Sequence, residues 1–186
     1  MRMENSMNKG RKAKLLILLL LLLTLLGLYF YLMQTKEAET GAEQEEEEHF
    51  QVTEIDPSLV SQLGIINGEE TIDLSKEGDE WHSYEDETVS IDAEAVSAYL
   101  SAAGELDSEN KIEEVSDFSQ YGLDKPALNI TLQWDSNMYN IKVGDYNSMI
   151  SRYYVCVNDE KVVYTITATQ FYALNKTLAD FKKEEN

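Results

Sequence analysis

Residues 128–143 read LNITLQWDSNMYNIKV, and residues 153–166 read YYVCVNDEKVVYTI. In the first run Leu128, Ile130, Leu132 and Trp134 alternate with Asn129, Thr131, Gln133 and Asp135. Successive side chains of a strand point to opposite faces, so a period of two marks a strand with one face buried. Tyr139, Ile141 and Val143 alternate with Asn140 and Lys142 in the same way. Tyr153, Val155 and Val157 form a third such face, and Val162, Tyr164 and Ile166 a fourth. Asn158-Asp159-Glu160 reads as the hairpin loop between the last two. Four short alternating strands in succession predict an antiparallel meander with one wet face.

Upstream, Ile65-Ile66, the Asn67-Gly68 turn and Thr71 to Leu74 are followed by Gly78-Asp79 and Trp81 to Tyr84. Asn-Gly and Gly-Asp between apolar pairs are hairpin signals. A helix is expected from Asp92 as N-cap, with Val96, Tyr99, Leu100 and Ala103 on one face and Gly104 at its end. A second helix is expected after Thr167-x-x-Gln170, which has the form of a capping box. Phe171, Leu174, Leu178 and Phe181 follow it at helical spacing. Each half thus reads as a hairpin followed by a helix, a pattern-level hint of duplication without shared identities. The fold class is α+β: an N-terminal transmembrane helix, then a mostly antiparallel sheet (hairpin plus meander) packed by two helices.

Residues 15–33, LLILLLLLLTLLGLYFYLM, carry no charge. As a helix they span about 28 Å, close to the hydrocarbon thickness of a bilayer. Residues 1–14 carry five Lys+Arg against one Glu, net +4, while residues 34–186 carry 10 Lys+Arg against 34 Asp+Glu, net −24. Basic flanks stay inside, so the N-terminus is expected in the cytoplasm and the remainder outside. The run is longer than an ordinary signal-peptide core, and Tyr29-Phe30-Tyr31 suits an interfacial aromatic belt. Cleavage has only Thr40-Gly41-Ala42 to work with, so a retained signal-anchor in the plasma membrane is expected. Residues 34–49, QTKEAETGAEQEEEEH, hold no large apolar side chain and read as an acidic, disordered tether. The expected organisation is a basic cytoplasmic tail (1–14), the transmembrane signal-anchor (15–33), the tether (34–49) and an exported α+β domain (50–186).

Chemistry is sparse. Asp73, Ser75, Glu77 and Gly78 imitate the opening of a calcium loop, but Tyr84 stands where a bidentate Glu is required, so a turn between strands is expected instead. His49 and His82 are too isolated for a zinc site, and Cys156 reads as a small packed residue. No nucleophile elbow, zinc-protease helix or phosphate-binding glycine loop occurs. With 34 acids in residues 34–186, pairs arise by chance and identify no hydrolase. Net −24 repels phosphate, so no nucleic-acid partner is expected. Neither a cofactor nor a catalytic residue is expected. The candidate interaction loops are Tyr121, Gly122, Leu123, Asp124 and Lys125, together with Asp145 and Arg152 around the long connection inside the meander.

Asp117-Phe118, then Tyr121-Gly122-Leu123-Asp124-Lys125-Pro126, then Ile141-Lys142-Val143-Gly144-Asp145, Tyr153 and Val163-Tyr164 resemble a bacterial family. It is the domain of unknown function catalogued as forty-three-forty. Trp81, the Val96–Leu106 helix and Lys111-Ile112 fit the same pattern, and the resemblance covers residues 65–181. It implies membrane-anchored exported proteins, some associated with ABC-type transport or gliding-motility-like systems, with no catalytic residues to carry over. The expected function is a non-catalytic binding or accessory module, set in an ABC-type transport system. Its partners would be the bilayer through residues 15–33 and a membrane transporter subunit. The alternatives are a ligand- or cation-binding sensor domain and an envelope-polymer hydrolase.

Overall fold

The computed structural model describes residues 4–39, 49–68 and 70–184. The chain divides into two compact units, residues 1–47 and 48–186. In the first, α1 runs from Glu4 to Glu39 and contains Ala13–Tyr31, a stretch long and apolar enough to cross a membrane. A signal sequence would satisfy the same criterion. The helix continues through residues 34–39, where the tether was expected to begin. Gln, Lys, Ala and Glu in that stretch are good helix formers that extend an existing helix cheaply. The rest of the expected tether up to residue 48 lies outside the described residues.

The second unit is built on an antiparallel sheet. Its elements are β1 (Phe50–Gln51), β2 (Gln62–Ile66), β3 (Thr71–Glu77), β4 (Glu80–Ser83), α2 (Ala93–Gly104), β5 (Asp107–Ser108), β6 (Lys111–Ile112), β7 (Leu128–Trp134), β8 (Asn137–Asn147), β9 (Arg152–Val157), β10 (Val163–Thr167) and α3 (Ala168–Leu174). Eight strands lie in the order β4-β3-β2-β7-β8-β9-β10-β6, and β1 pairs with β5. The expected hairpin and meander are therefore one sheet, joined where β2 pairs with β7 in the register Leu63↔Leu132 and Ile65↔Ile130. The class is α+β, as the periodicities imply.

One face of the sheet carries Leu63, Ile65, Ile72, Leu74, Leu128, Ile130, Leu132, Ile141, Val143 and Val155, all at most 1% exposed. Against it pack Val96, Tyr99, Leu100 and Ala103 of α2, and Phe171 and Leu174 of α3. At roughly 1.5–3 kcal/mol per buried large aliphatic or aromatic side chain, this layer is the main source of stability. The Asp92 carboxylate caps α2 by accepting from the N–H groups of Glu94 and Ala95. Gly104 ends α2 for a reason other than a left-handed turn: a Cβ there would lie 2.5 Å from the Ile55 carbonyl oxygen. The residues before the 3-10 turn Pro57–Leu59 thus pass directly over the helix end.

Two expectations change. The C-terminal helix does form behind a capping box of Thr167 and Gln170, but it stops at Leu174. A second box, Thr177 with Asp180, opens a separate 3-10 turn at Leu178–Phe181. The Thr177 hydroxyl and amide bond the Asp180 carboxylate locally, which competes with continuing the α-helix. Phe171, Leu174 and Phe181 still reach the core because the chain restarts in register. The wet face is also incomplete. Across β2, β3, β7 and β8 it carries Gln62, Thr71, Asp73, Asn129, Thr131, Gln133, Asn140 and Lys142, none of them buried. At β9 and β10, however, Cys156 and Val163 are buried on that side beneath Val115 and Leu123.

Candidate functional site

The candidate loop residues separate into a packed group and an exposed group. Ser119–Tyr121 form one 3-10 turn, and Gly122 caps it at φ 70° in the left-handed region. Asp117 opens the turn by accepting from the Ser119 N–H at 3.0 Å and its hydroxyl at 2.6 Å. These bonds hold its carboxyl below the usual range. Leu123, 3% exposed, enters a small second core with Val115, Cys156 and Val163, flanked by Ile112, Phe118, Tyr121 and Tyr154. The Tyr121 ring meets Tyr154 edge-on at 4.8 Å. Burial first, and Asp159 second, push the Cys156 thiol up to about 11 against the opposing pull of Lys142. A thiol held that firmly in its neutral form is a packing group.

Gly122 and Gly144 explain why this turn and β8 occur together. A Cβ on Gly144 would sit 2.1 Å from the Tyr121 carbonyl oxygen and 3.0 Å from the Gly122 carbonyl carbon. A Cβ on Gly122 would sit 2.5 Å from the Asp145 carboxyl and 2.8 Å from its backbone nitrogen. Two backbones therefore touch where β8 changes register against β9, between Val143 and Tyr146. A shift of register is a place where a strand can bend out of its ladder. Tyr121 and Gly122 are brought against Asp145, Leu123 is spent on the second core, and Asp124 and Lys125 stay exposed. Arg152, whose side chain is 18% exposed, is ion-paired and hydrogen-bonded to Glu109. It anchors the β5–β6 connection instead of offering a free cation.

Sequence reading missed two features, and did not show what side chains a third, already singled-out connection would expose. One is Glu109 as the partner of Arg152, 43 residues away. The second is an aromatic row: Tyr146 tilts on Tyr153 at 4.9 Å, Tyr153 stacks on Phe171 at 3.9 Å, and Phe171 meets Tyr172 edge-on at 5.4 Å. The third is the tip of the β8–β9 hairpin, inside the long Asp145–Arg152 connection singled out above, where Met149 is 92% exposed, Ile150 46% and Tyr146 48%. Alternation marked the connection only as a gap between periodic segments and could not show which of its side chains are exposed.

On the polar face, Asp73 donates its N–H to both oxygens of Glu85 at 3.0 Å. Burial of its carboxyl, then the Glu85 charge, raises the pKa of Asp73. Folded Asp73 thus holds its proton at a pH where the unfolded chain has lost it, so stability falls as pH rises through that interval. Asp73→Asn is expected to flatten this part of the pH dependence and to be no less stable than wild type at pH 7. Urea midpoints of both proteins across the acid range check it; a variant that loses stability at pH 7 would contradict it. Among the described residues no group of three or more His, Cys, Asp or Glu is placed to hold a metal ion.

A family model described as a domain of unknown function (DUF4340) matches residues 81–185. This is the family suggested by the Tyr121–Pro126 segment, with the match beginning at Trp81 and so leaving β2 and β3 outside it. No curated protein and no solved structure matches the chain.

Proposed function

The chain belongs to this family, and on that premise we propose that it is a single-pass, membrane-anchored extracytoplasmic protein whose α+β domain is a non-catalytic binding module. We assign it as an accessory of an ABC-type transport system. The orientation rests on the five basic residues preceding the apolar run. The transport setting rests on the family resemblance. The observation that carries the binding role is the β8–β9 hairpin tip. Met149, Ile150 and Tyr146, close in sequence around this connection, each expose a large apolar side chain in a strongly acidic chain. Large apolar side chains exposed along one hairpin connection suit a protein partner.

The experiment is crosslinking in intact cells with a C-terminal affinity tag, followed by mass spectrometry of the membrane fraction. The expected result is recovery of a permease or ATPase-linked membrane subunit. Met149→Ser with Ile150→Ser should reduce that recovery at least fivefold with the urea midpoint unchanged. Repeated recovery of the bait alone would overturn the accessory role.

A further inference from the structure

A different part of the domain, the β4 edge of the eight-stranded sheet, lies far in the strand order from the β8–β9 hairpin. Among the described residues β4 is the outermost strand and pairs with β3 alone. The bond from the Tyr84 N–H to the Asp73 carbonyl and the register Ser75↔His82 fix which groups face inward. In an antiparallel ladder the alternate residues then turn their backbone groups the other way. The N–H and C=O of Trp81 and Ser83 therefore point off the edge. Beside this edge is a cleft of about 710 Å³ whose walls are Asp79 to His82 on one side and Glu87 to Glu94 on the other, with Lys183.

The facing wall is also extended backbone. Ile91 bridges Lys182 in antiparallel fashion, through Asp92 N–H to the Phe181 carbonyl and Lys183 N–H to the Ser90 carbonyl. Bonds placed on the flanking residues mean that the amide and carbonyl of Ile91 itself point away from Lys182. Two residues that line the cleft, Trp81 and Ile91, thus turn their main-chain groups away from the segments they pair with. Its side chains add one sign of charge: Asp79, Glu80, Glu87, Asp92 and Glu94 against Lys183. Along β4 the pleat puts buried Trp81 and Ser83 on one side and exposed Glu80 and His82 on the other.

We propose that this cleft takes an extended, basic polypeptide segment of a partner, which adds to β4 as a further strand. Main-chain hydrogen bonds to Trp81 in the cleft, continuing along the same edge to Ser83 beyond it, would hold it, and the alternation of the pleat would select it. Cationic side chains at every second position would meet Glu80 and Glu87, while the intervening ones would meet the Trp81 and Ile91 side. The carboxylates disfavour a second copy of β4 as the occupant, because Glu80 would face its own like.

The test uses the full chain in nanodiscs and a fluorescent octapeptide alternating Lys and Val. Two control peptides accompany it: the same sequence with alternate amides N-methylated, and its Glu-Val counterpart. The expected result is saturable binding of the Lys-Val peptide, at least tenfold weaker for either control. Glu80→Lys with Glu87→Lys, both exposed positions, should weaken binding at least tenfold with the urea midpoint kept. Hydrogen exchange should show new protection at the amides of Trp81 and Ser83. Equal binding of the N-methylated peptide would reduce the effect to charge alone and overturn the proposal. So would absence of binding, protection confined to other strands, or self-association of the chain through β4. The Met149→Ser/Ile150→Ser variant should bind the peptide normally, which keeps this result separate from the hairpin-tip reading.

Discussion

Gly144→Ala is expected to destabilise the domain by about 3 kcal/mol, the upper end of what forced insertion of a methyl group into packed structure costs. The new Cβ would lie 2.1 Å from the Tyr121 carbonyl oxygen, and backbone cannot rotate aside as a flexible side chain can. Relief requires the turn from Phe118 to Leu123 to lift from β8, withdrawing Leu123 from the second core and Tyr121 from Tyr154. Gly122→Ala attacks the same contact from the other side, adding about 1–2 kcal/mol for a side chain at φ 70°. Because both substitutions break one contact, the double variant should cost clearly less than the sum. Urea denaturation measures the loss. Thiol labelling locates it: Cys156, 1% exposed beneath that turn, should react faster in Gly144→Ala than in wild type. Unchanged stability with unchanged labelling would show that the two backbones do not meet.

The second large effect is expected at Thr53, a 1% exposed polar residue. Its hydroxyl donates to the Ala103 carbonyl at 2.8 Å and accepts from the Leu106 N–H at 2.8 Å. Helices leave their last carbonyls without partners, and here the segment from Val52 to Ile55 supplies them, with the Ile55 N–H bonding the Gly104 carbonyl. Thr53→Val keeps the shape and removes both bonds, stranding a buried acceptor and a buried donor. At about 1–3 kcal/mol for each, the expected loss is about 3 kcal/mol. Thr53→Ser keeps the hydroxyl and should lose about 1 kcal/mol, the value of a buried methyl. Similar losses in the two variants would mean that Thr53 matters for its methyl and not for its hydroxyl.

What could be read from the residues was set by sequence distance. The Asp92 cap, the Thr167–Gln170 box and the alternation from Leu128 to Val143 act over a few residues, and each is present in the fold. The α3 break escaped notice because spacing alone cannot distinguish one helix from two turns in register; the signal available was Thr177-x-x-Asp180, a second capping box. The β2–β7 pairing and the Arg152–Glu109 pair join residues far apart in the chain, and no local period encodes them. Of the candidate loops, the glycines of the Tyr121–Lys125 segment and of Gly144-Asp145 were visible as motifs, but their contact was not. Their shared presence reflects one backbone crossing another, which only a three-dimensional arrangement reveals.

The β2–β7 seam also sets an order of events in time. Strands β2, β3 and β4 can zip together as soon as residues 62–83 exist, since the β2–β3 and β3–β4 pairings join sequence neighbours. The other flank of β2, with Leu63 and Ile65, stays open until Leu128–Trp134 is available to close it. Closing a loop of that length is the slow, entropy-limited step of the fold. In the interval a nascent chain presents an apolar, unpaired strand edge, the kind of template on which chains aggregate. The mature domain hides its most adhesive edge at the middle of its sheet, so the hazard belongs to its synthesis and not to its working life.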